Sequence, residues 1–95
     1  MASSLWIVAY DIADPVRLRT VARLCEDYGR RMQHSVFLCA GPASVLGTLR
    51  DEVRAELEPS ADRFLVVPLC PRCTKGIRQL GPNQPLPDEA GAWIV

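Results

Sequence analysis

LWIVAYDIADPVRLRTVARL, residues 5–24, sets out the fold in one stretch. Its first six residues are apolar, partly β-branched and aromatic, which predicts a buried strand over residues 4–10. Asp11 stops that run. Asp14 and Pro15 then start a helix: the aspartate accepts from first-turn N–H groups, and proline at the first helical position loses no hydrogen bond. Leu18, Val21, Ala22 and Cys25 recur at helical spacing, with Leu24 and Tyr28 beside them, so one face of this helix is buried. Arg17, Arg19 and Arg23 fall mainly outside that stripe. Gly29 is expected to end the helix. The two aspartates therefore differ. Asp14 is a cap, whereas Asp11 is either a turn residue after a strand or a ligand.

Working outward, RRMQHSVFLCAG (30–41) predicts strand broken by a tight turn or bulge near residues 33–35, with the register left open. Gly41-Pro42 ends it. A second helix is expected from about Ser44 to Glu58, with Val45, Leu46, Leu49, Val53 and Leu57 on its apolar face. Gly47 weakens that helix and Pro59 terminates it. RFLVVPLC (63–70) is apolar at nearly every position and is expected to be a central strand, while Pro68 predicts a bulge or a sheet edge. The order β-α-β-β-α-β, with two helices on one face of an antiparallel sheet, is an α+β sandwich of ferredoxin-like type over residues 1–81. Residues 82–95 differ in composition. GPNQPLPDEAG reads as a Pro-rich linker, and AWIV (92–95) as an extra C-terminal strand docked on a sheet edge of the same chain or of a partner protomer.

Bulk properties narrow the function classes. The chain has 95 residues, room for one domain only, and is 48% hydrophobic, enough for a core. A domain this small often gains stability by oligomerising, so a homodimer is expected. Net charge is zero, which excludes a general polyanion binder, and any nucleic-acid surface must be a local concentration of basic residues. Residues 17–31 carry five arginines, and residues 63–87 carry Arg63, Arg72, Lys75 and Arg78 with no acid. MASSLWIVAY lacks a basic leader region and no run approaches a membrane span, so a cytoplasmic protein that does not enter a membrane is expected. The four cysteines are then expected as free thiols.

Other motifs are weaker. Cys70-Pro71-Arg72-Cys73 is a single C-x-x-C. A structural zinc site needs four ligands, and a thioredoxin-like pair lies at a helix start after the first strand, so a structural turn is favoured. His34 is the lone histidine. Its neighbour Ser35 points to the opposite face of a strand, which disfavours a hydrolase triad.

The combination Tyr10-Asp11-Ile12, Asp14, Arg17-Leu18-Arg19, Gly29-x-Arg31-x-Gln33-x-Ser35-Val36-Phe37 and Pro68-Leu69-Cys70 resembles one family over roughly residues 5–81. It is the smaller of the two core CRISPR-associated spacer-acquisition proteins, the partner of the adaptation integrase. The resemblance implies a ferredoxin-like homodimer that cleaves RNA or DNA phosphodiesters as a metal-dependent endonuclease. It further implies that Asp11 is the catalytic metal ligand, meeting the second Asp11 across a two-fold axis to share one Mg²⁺. One position then supplies two carboxylates, enough for a cation that keeps several waters. Arg17, Arg19 and Arg31 match positions where the family carries basic residues, and guanidinium forks suit phosphate oxygens. The competing role for these arginines is pairing with Asp14, Glu26 or Asp27. Tyr10 and Phe37 are candidates for base stacking or for an interface. Many relatives carry glutamate directly after Ser-Val-Phe, where this chain has Leu38, a departure that argues against efficient hydrolysis. The alternative function is a non-catalytic dimeric scaffold that holds the DNA backbone and bridges integrase subunits. A third is an unrelated ferredoxin-like regulatory dimer.

Overall fold

The computed structural model describes residues 4–82, Leu86–Pro87 and Trp93–Ile94. Strand β1 (Ser4–Asp11) leads into helix α1 (Pro15–Glu26), strands β2 (Gly29–Gln33) and β3 (Val36–Gly41), helix α2 (Ala43–Glu56) and strand β4 (Arg63–Leu69). A short helix α3 (Pro71–Lys75) and two-residue strands β5 (Leu86–Pro87) and β6 (Trp93–Ile94) follow. The main sheet has the order β2-β3-β1-β4, and its neighbours run antiparallel throughout. That is the expected ferredoxin-like α+β architecture.

Local chemistry explains the elements. Asp14 caps α1 by accepting from the Arg17 N–H at 2.9 Å, and Pro15 occupies the first turn. Val21, Ala22 and Cys25 are buried on that helix, and Leu46, Leu49 and Val53 on α2. They close over Val8 and Tyr10 of β1 and Phe37 and Cys39 of β3, forming one core between the helices and one sheet face. The irregularity expected near residues 33–35 is a register shift between Arg31 and Gln33.

Two expectations need correction. Gly29 does not end α1, which stops at Glu26 with Asp27 as its C-cap. Gly29 instead opens β2, where a Cβ would sit 2.5 Å from Cys39 Sγ, so the glycine lets the two strands approach. RFLVVPLC is not central either. Among the described residues β4 is an edge strand paired only with β1, which itself lies between β3 and β4. Proline near the end of a strand is compatible with an edge, where one row of N–H groups has no ladder partner. The pairing runs unbroken from Leu5–Leu69 to Asp11–Arg63, so Pro68 produces no bulge.

The apolar composition of β4 has another cause. Directly paired residues share a sheet face, so register divides β1, β3 and β4 into two sets. Trp6, Val8, Tyr10, Phe37, Cys39, Phe64 and Val66 belong to the helix side. Leu5, Ile7, Ala9, Val36, Leu38, Leu65, Val67 and Leu69 belong to the other side, which the two long helices do not cover. The segment after β4 reaches part of this second face, where Ile77 and Leu80 line a cleft with Ile7, Val36 and Leu38. The outer part stays open, and Leu65 is 57% exposed. β6 pairs with β5 in a separate two-stranded ladder, Leu86 opposite Ile94 and Pro87 opposite Trp93. The rest of the 82–95 segment lies outside the described residues, apart from Pro82.

Candidate metal and nucleic-acid site

Asp11 is the last residue of β1 and is exposed. Strand alternation puts it on the second face, in line with Ile7 and Ala9, at the rim of the open apolar surface. Its cross-strand partner is Arg63. Among the described residues its carboxylate has no hydrogen bond or ion pair, so its oxygen lone pairs are free for a ligand. No cluster of three or more His, Cys, Asp or Glu side chains able to hold a metal occurs among the described residues. A hard divalent cation that retains most of its water is satisfied by one or two carboxylates. Asp11 therefore fits such an ion as half of a site and does not complete one.

The turn that follows Asp11 is fixed by a second carboxylate. Asp62 has a fully buried side chain. Its Oδ1 accepts from the Ala13 N–H at 3.0 Å and from Arg17 Nη2 at 3.1 Å. Its Oδ2 accepts from Arg17 Nε at 2.7 Å and from the Glu58 N–H at 3.0 Å. The Arg17 guanidinium, then the Glu58 N–H, hold this carboxyl well below the usual aspartate range against the opposing effect of burial. A bidentate arginine and two backbone donors thus tie the β1–α1 turn to the α2–β4 connection.

Arg17, expected on phosphate, is therefore already engaged through two of its donors. Arg31 is engaged as well: Nη1 donates to the His34 carbonyl at 2.8 Å and Nη2 to Glu26 at 3.2 Å. Its guanidinium lies 5.1 Å from the Phe37 ring centroid, within cation–π range. Arg19 is exposed and has no recorded partner among the described residues. It lines a shallow cleft with Tyr10, Leu18, Ala22, Arg31 and His34.

Tyr10 and Phe37 face the helices, with ring centroids 6.1 Å apart. Phe37 is wholly buried and Tyr10 is 6% exposed, so neither ring face is open for stacking on a base. The Tyr10 hydroxyl is buried without a hydrogen-bond partner. Burial raises its pKa, partly offset by Arg31. Leu38, the departure noted directly after Ser-Val-Phe, pairs with Ile7 on the second face and is 5% exposed. It is buried on that face, opposite a residue four positions from Asp11.

Asp11 and Arg31 therefore lie on opposite sides of the sheet, and Arg17 is taken up by Asp62. Asp11 belongs to the second face, whereas Arg31 shares the helix side with Phe37. The basic residue across the sheet from Asp11 is Arg63, which sequence reading did not single out. Its signal was present as the first residue of the β4 run, but only the β1–β4 register pairs it with Asp11. Asp62 was missed for the same reason.

The main sheet is all-antiparallel with two helices on one face, the architecture of a ferredoxin-like α+β protein. Residues 4–77 match the family model described as CRISPR associated protein Cas2. The chain is 37% identical over 91 residues to a Synechocystis protein named CRISPR-associated endoribonuclease Cas2 3, covering 96% of this chain and 98% of that one. It is 38% identical over 69 residues to the Thermus thermophilus CRISPR-associated endonuclease Cas2 2, covering 73% and 77% respectively. The crystal structure of Streptococcus pyogenes Cas2 at pH 6.5 superimposes with a TM-score of 0.72 at 29% identity, covering 81% of this chain and 99% of that one. The chain belongs to the Cas2 family. No helix among the described residues is long and apolar enough to cross a membrane.

Proposed function

We propose that this protein is a metal-dependent endonuclease of CRISPR adaptation, acting on phosphodiesters of RNA or DNA as a homodimer beside the adaptation integrase. The observation that carries the reading is Asp11, an exposed carboxylate without a side-chain partner among the described residues, at the end of the sheet face on which Leu65 is exposed. An apolar face of that kind is buried when two copies meet face to face, and an isologous contact repeats every residue. Asp11 and the partner's Asp11 would then hold one Mg²⁺. When bound, that ion polarises a phosphate and lowers the pKa of a coordinated water. The chain's own residues bind and orient. Arg63 supplies positive charge across the strand pair from Asp11, and exposed Arg19 can reach a phosphate oxygen. Relatives named endoribonuclease and endonuclease support the same chemistry.

The test is cleavage of end-labelled RNA and duplex DNA with Mg²⁺, with EDTA, and by the Asp11→Ala protein. Cleavage that survives in Asp11→Ala and in EDTA would remove the metal reading. The second reading is a non-catalytic scaffold that grips the DNA backbone and bridges integrase subunits. Leu38 favours it, because an apolar side chain stands directly after Ser-Val-Phe, where many relatives carry a glutamate, and it pairs with Ile7 rather than lying beside Asp11. Spacer acquisition that persists in Asp11→Ala while cleavage is lost would assign the essential role to the scaffold. The C-terminal strand docking on a partner's sheet edge belongs to the same proposal, and removal of residues 92–95 is then expected to weaken the dimer.

A further inference from the structure

The four cysteines fall into two pairs with opposite chemistry. Cys25 and Cys39 are wholly buried in the core, and burial pushes both thiols up to about 12. They are inert at neutral pH. Cys70 and Cys73 are exposed and bracket the turn where the edge strand β4 passes into α3. Their sulfurs lie 3.3 Å apart. The Cys73 N–H donates to Cys70 Sγ at 3.4 Å. The turn is held independently of the sulfurs, because the Thr74 N–H and hydroxyl both donate to the Cys70 carbonyl, at 2.9 and 3.1 Å. Pro71 restricts the backbone between them. Both sulfurs therefore face each other and solvent on a preformed support.

We propose that Cys70 and Cys73 are a redox-active dithiol that closes reversibly to an intramolecular disulfide by exchange with a small-molecule disulfide of the glutathione type. Cys70 is the attacking sulfur. The Cys73 N–H, and then the Cys73 thiol, lower its pKa, whereas the hydrogen bond to Cys70 raises that of Cys73. The Cys70 thiolate attacks one sulfur of the external disulfide, forming a mixed disulfide and expelling one thiolate. Cys73 gives its proton to that thiolate and attacks the Cys70 sulfur. The Cys70–Cys73 bond forms as the second external thiolate leaves and takes a proton from water. Two electrons pass from the protein dithiol to the external disulfide, which becomes two thiols. The closed loop is very short, so its loop-closure contribution to stability is small. The pair is suited to changing state rather than to bracing the fold. It adjoins the apolar second face, since Cys73 lines the same cleft as Leu38, Leu69 and Ile77.

The experiment equilibrates the intact native chain with graded ratios of reduced to oxidised glutathione, followed by acid quench, alkylation and peptide mass analysis. The expected result is loss of two hydrogens confined to the peptide holding Cys70 and Cys73, reversed by dithiothreitol, with Cys25 and Cys39 unmodified. Cys73→Ser is expected to stop at a stable glutathione adduct on Cys70. Iodoacetamide should alkylate Cys70 about tenfold faster than Cys73 at neutral pH. Adducts that persist separately on both cysteines of the wild-type chain would overturn the proposal. So would a Cys70 or Cys73 disulfide joining two chains. Because the decisive measurement uses the wild-type protein, a variant that misfolds does not blunt it. Cleavage is not the readout, so failure of the nuclease reading is distinguishable.

Discussion

Asp11 opens the β1–α1 turn and Asp62 holds that turn from the α2–β4 connection, yet the fold uses them in opposite ways. Asp62 is buried and accepts four hydrogen bonds, from Arg17 through two donors and from two backbone N–H groups. Asp11 is exposed and accepts none from a side chain or backbone among the described residues. A buried carboxylate with every oxygen satisfied is a structural part, and losing one of its partners strands a charge in the interior. A carboxylate left open costs the fold nothing in desolvation and keeps its lone pairs for something outside the chain. Asp62 makes that availability useful, because it anchors Ala13, two residues beyond Asp11, and so fixes the turn that carries the ligand.

The sharpest way to break this comparison is Asp11→Ala. It is expected to reduce Mg²⁺-dependent cleavage by at least about 100-fold, with the thermal midpoint moving by no more than a degree or two, on the order of an exposed substitution. A large fall in thermal midpoint would show that Asp11 belongs to the fold after all. The converse variant, Asp62→Ala, removes the acceptor of four donors. Its thermal midpoint is expected to drop by roughly 10 °C, measured by circular dichroism. Cleavage per folded molecule at low temperature should fall less than in Asp11→Ala.

The same pair predicts a pH dependence. The folded-state pKa of Asp62 lies below its ordinary value of 3.8, chiefly because of Arg17. A depressed carboxylate stabilises the native state at pH above that ordinary value, and the contribution is lost as pH falls below it toward the folded value. Asp62→Asn cannot ionise and lacks that contribution at every pH. The gap in thermal midpoint between wild type and Asp62→Asn should therefore be full at pH 7, begin to narrow near pH 5 and be smaller still at pH 3. A gap that stays constant over that range would show that the Arg17 pairing contributes nothing through charge.

Much of this corner was legible in the sequence, but only where the signal is local. Asp14, Pro15 and the Leu18–Val21–Ala22–Cys25 stripe specify α1 from residues close together in the chain, and the helix forms there. Asp11 stood out because it ends an apolar run. The partner of Arg17 did not, since Asp62 lies 45 residues away and Asp14, Glu26 and Asp27 were nearer in sequence. The misplacement of β4 has a related origin. An apolar run signals burial on both faces without saying what covers the second one. In β4 the second face is covered only in part, with Val67 and Leu69 half-buried and Leu65 exposed. Gly29 was misread because a glycine after a helix and a glycine between close strands look alike until the strands are paired.

The arginines give the smallest expected effect and extend the contrast from carboxylates to cations. Arg17 and Arg31 spend donors on Asp62, Glu26 and the His34 carbonyl, so they resemble Asp62. Arg19 and Arg63 are exposed without recorded partners among the described residues, so they resemble Asp11. A free arginine that neutralises one phosphate releases about one counterion, and removing it should lower the slope of log affinity against log salt by roughly 1. Arg19→Ala and Arg63→Ala are each expected to show that change in a fluorescence-anisotropy titration of duplex DNA, with unchanged thermal midpoints. Arg17→Ala should lower the thermal midpoint and leave the slope nearly intact. The reverse pattern, with Arg17 governing the slope and Arg19 without effect, would mean that nucleic acid displaces Arg17 from Asp62. The turn after Asp11 would then be loosened by the very ligand it helps to hold.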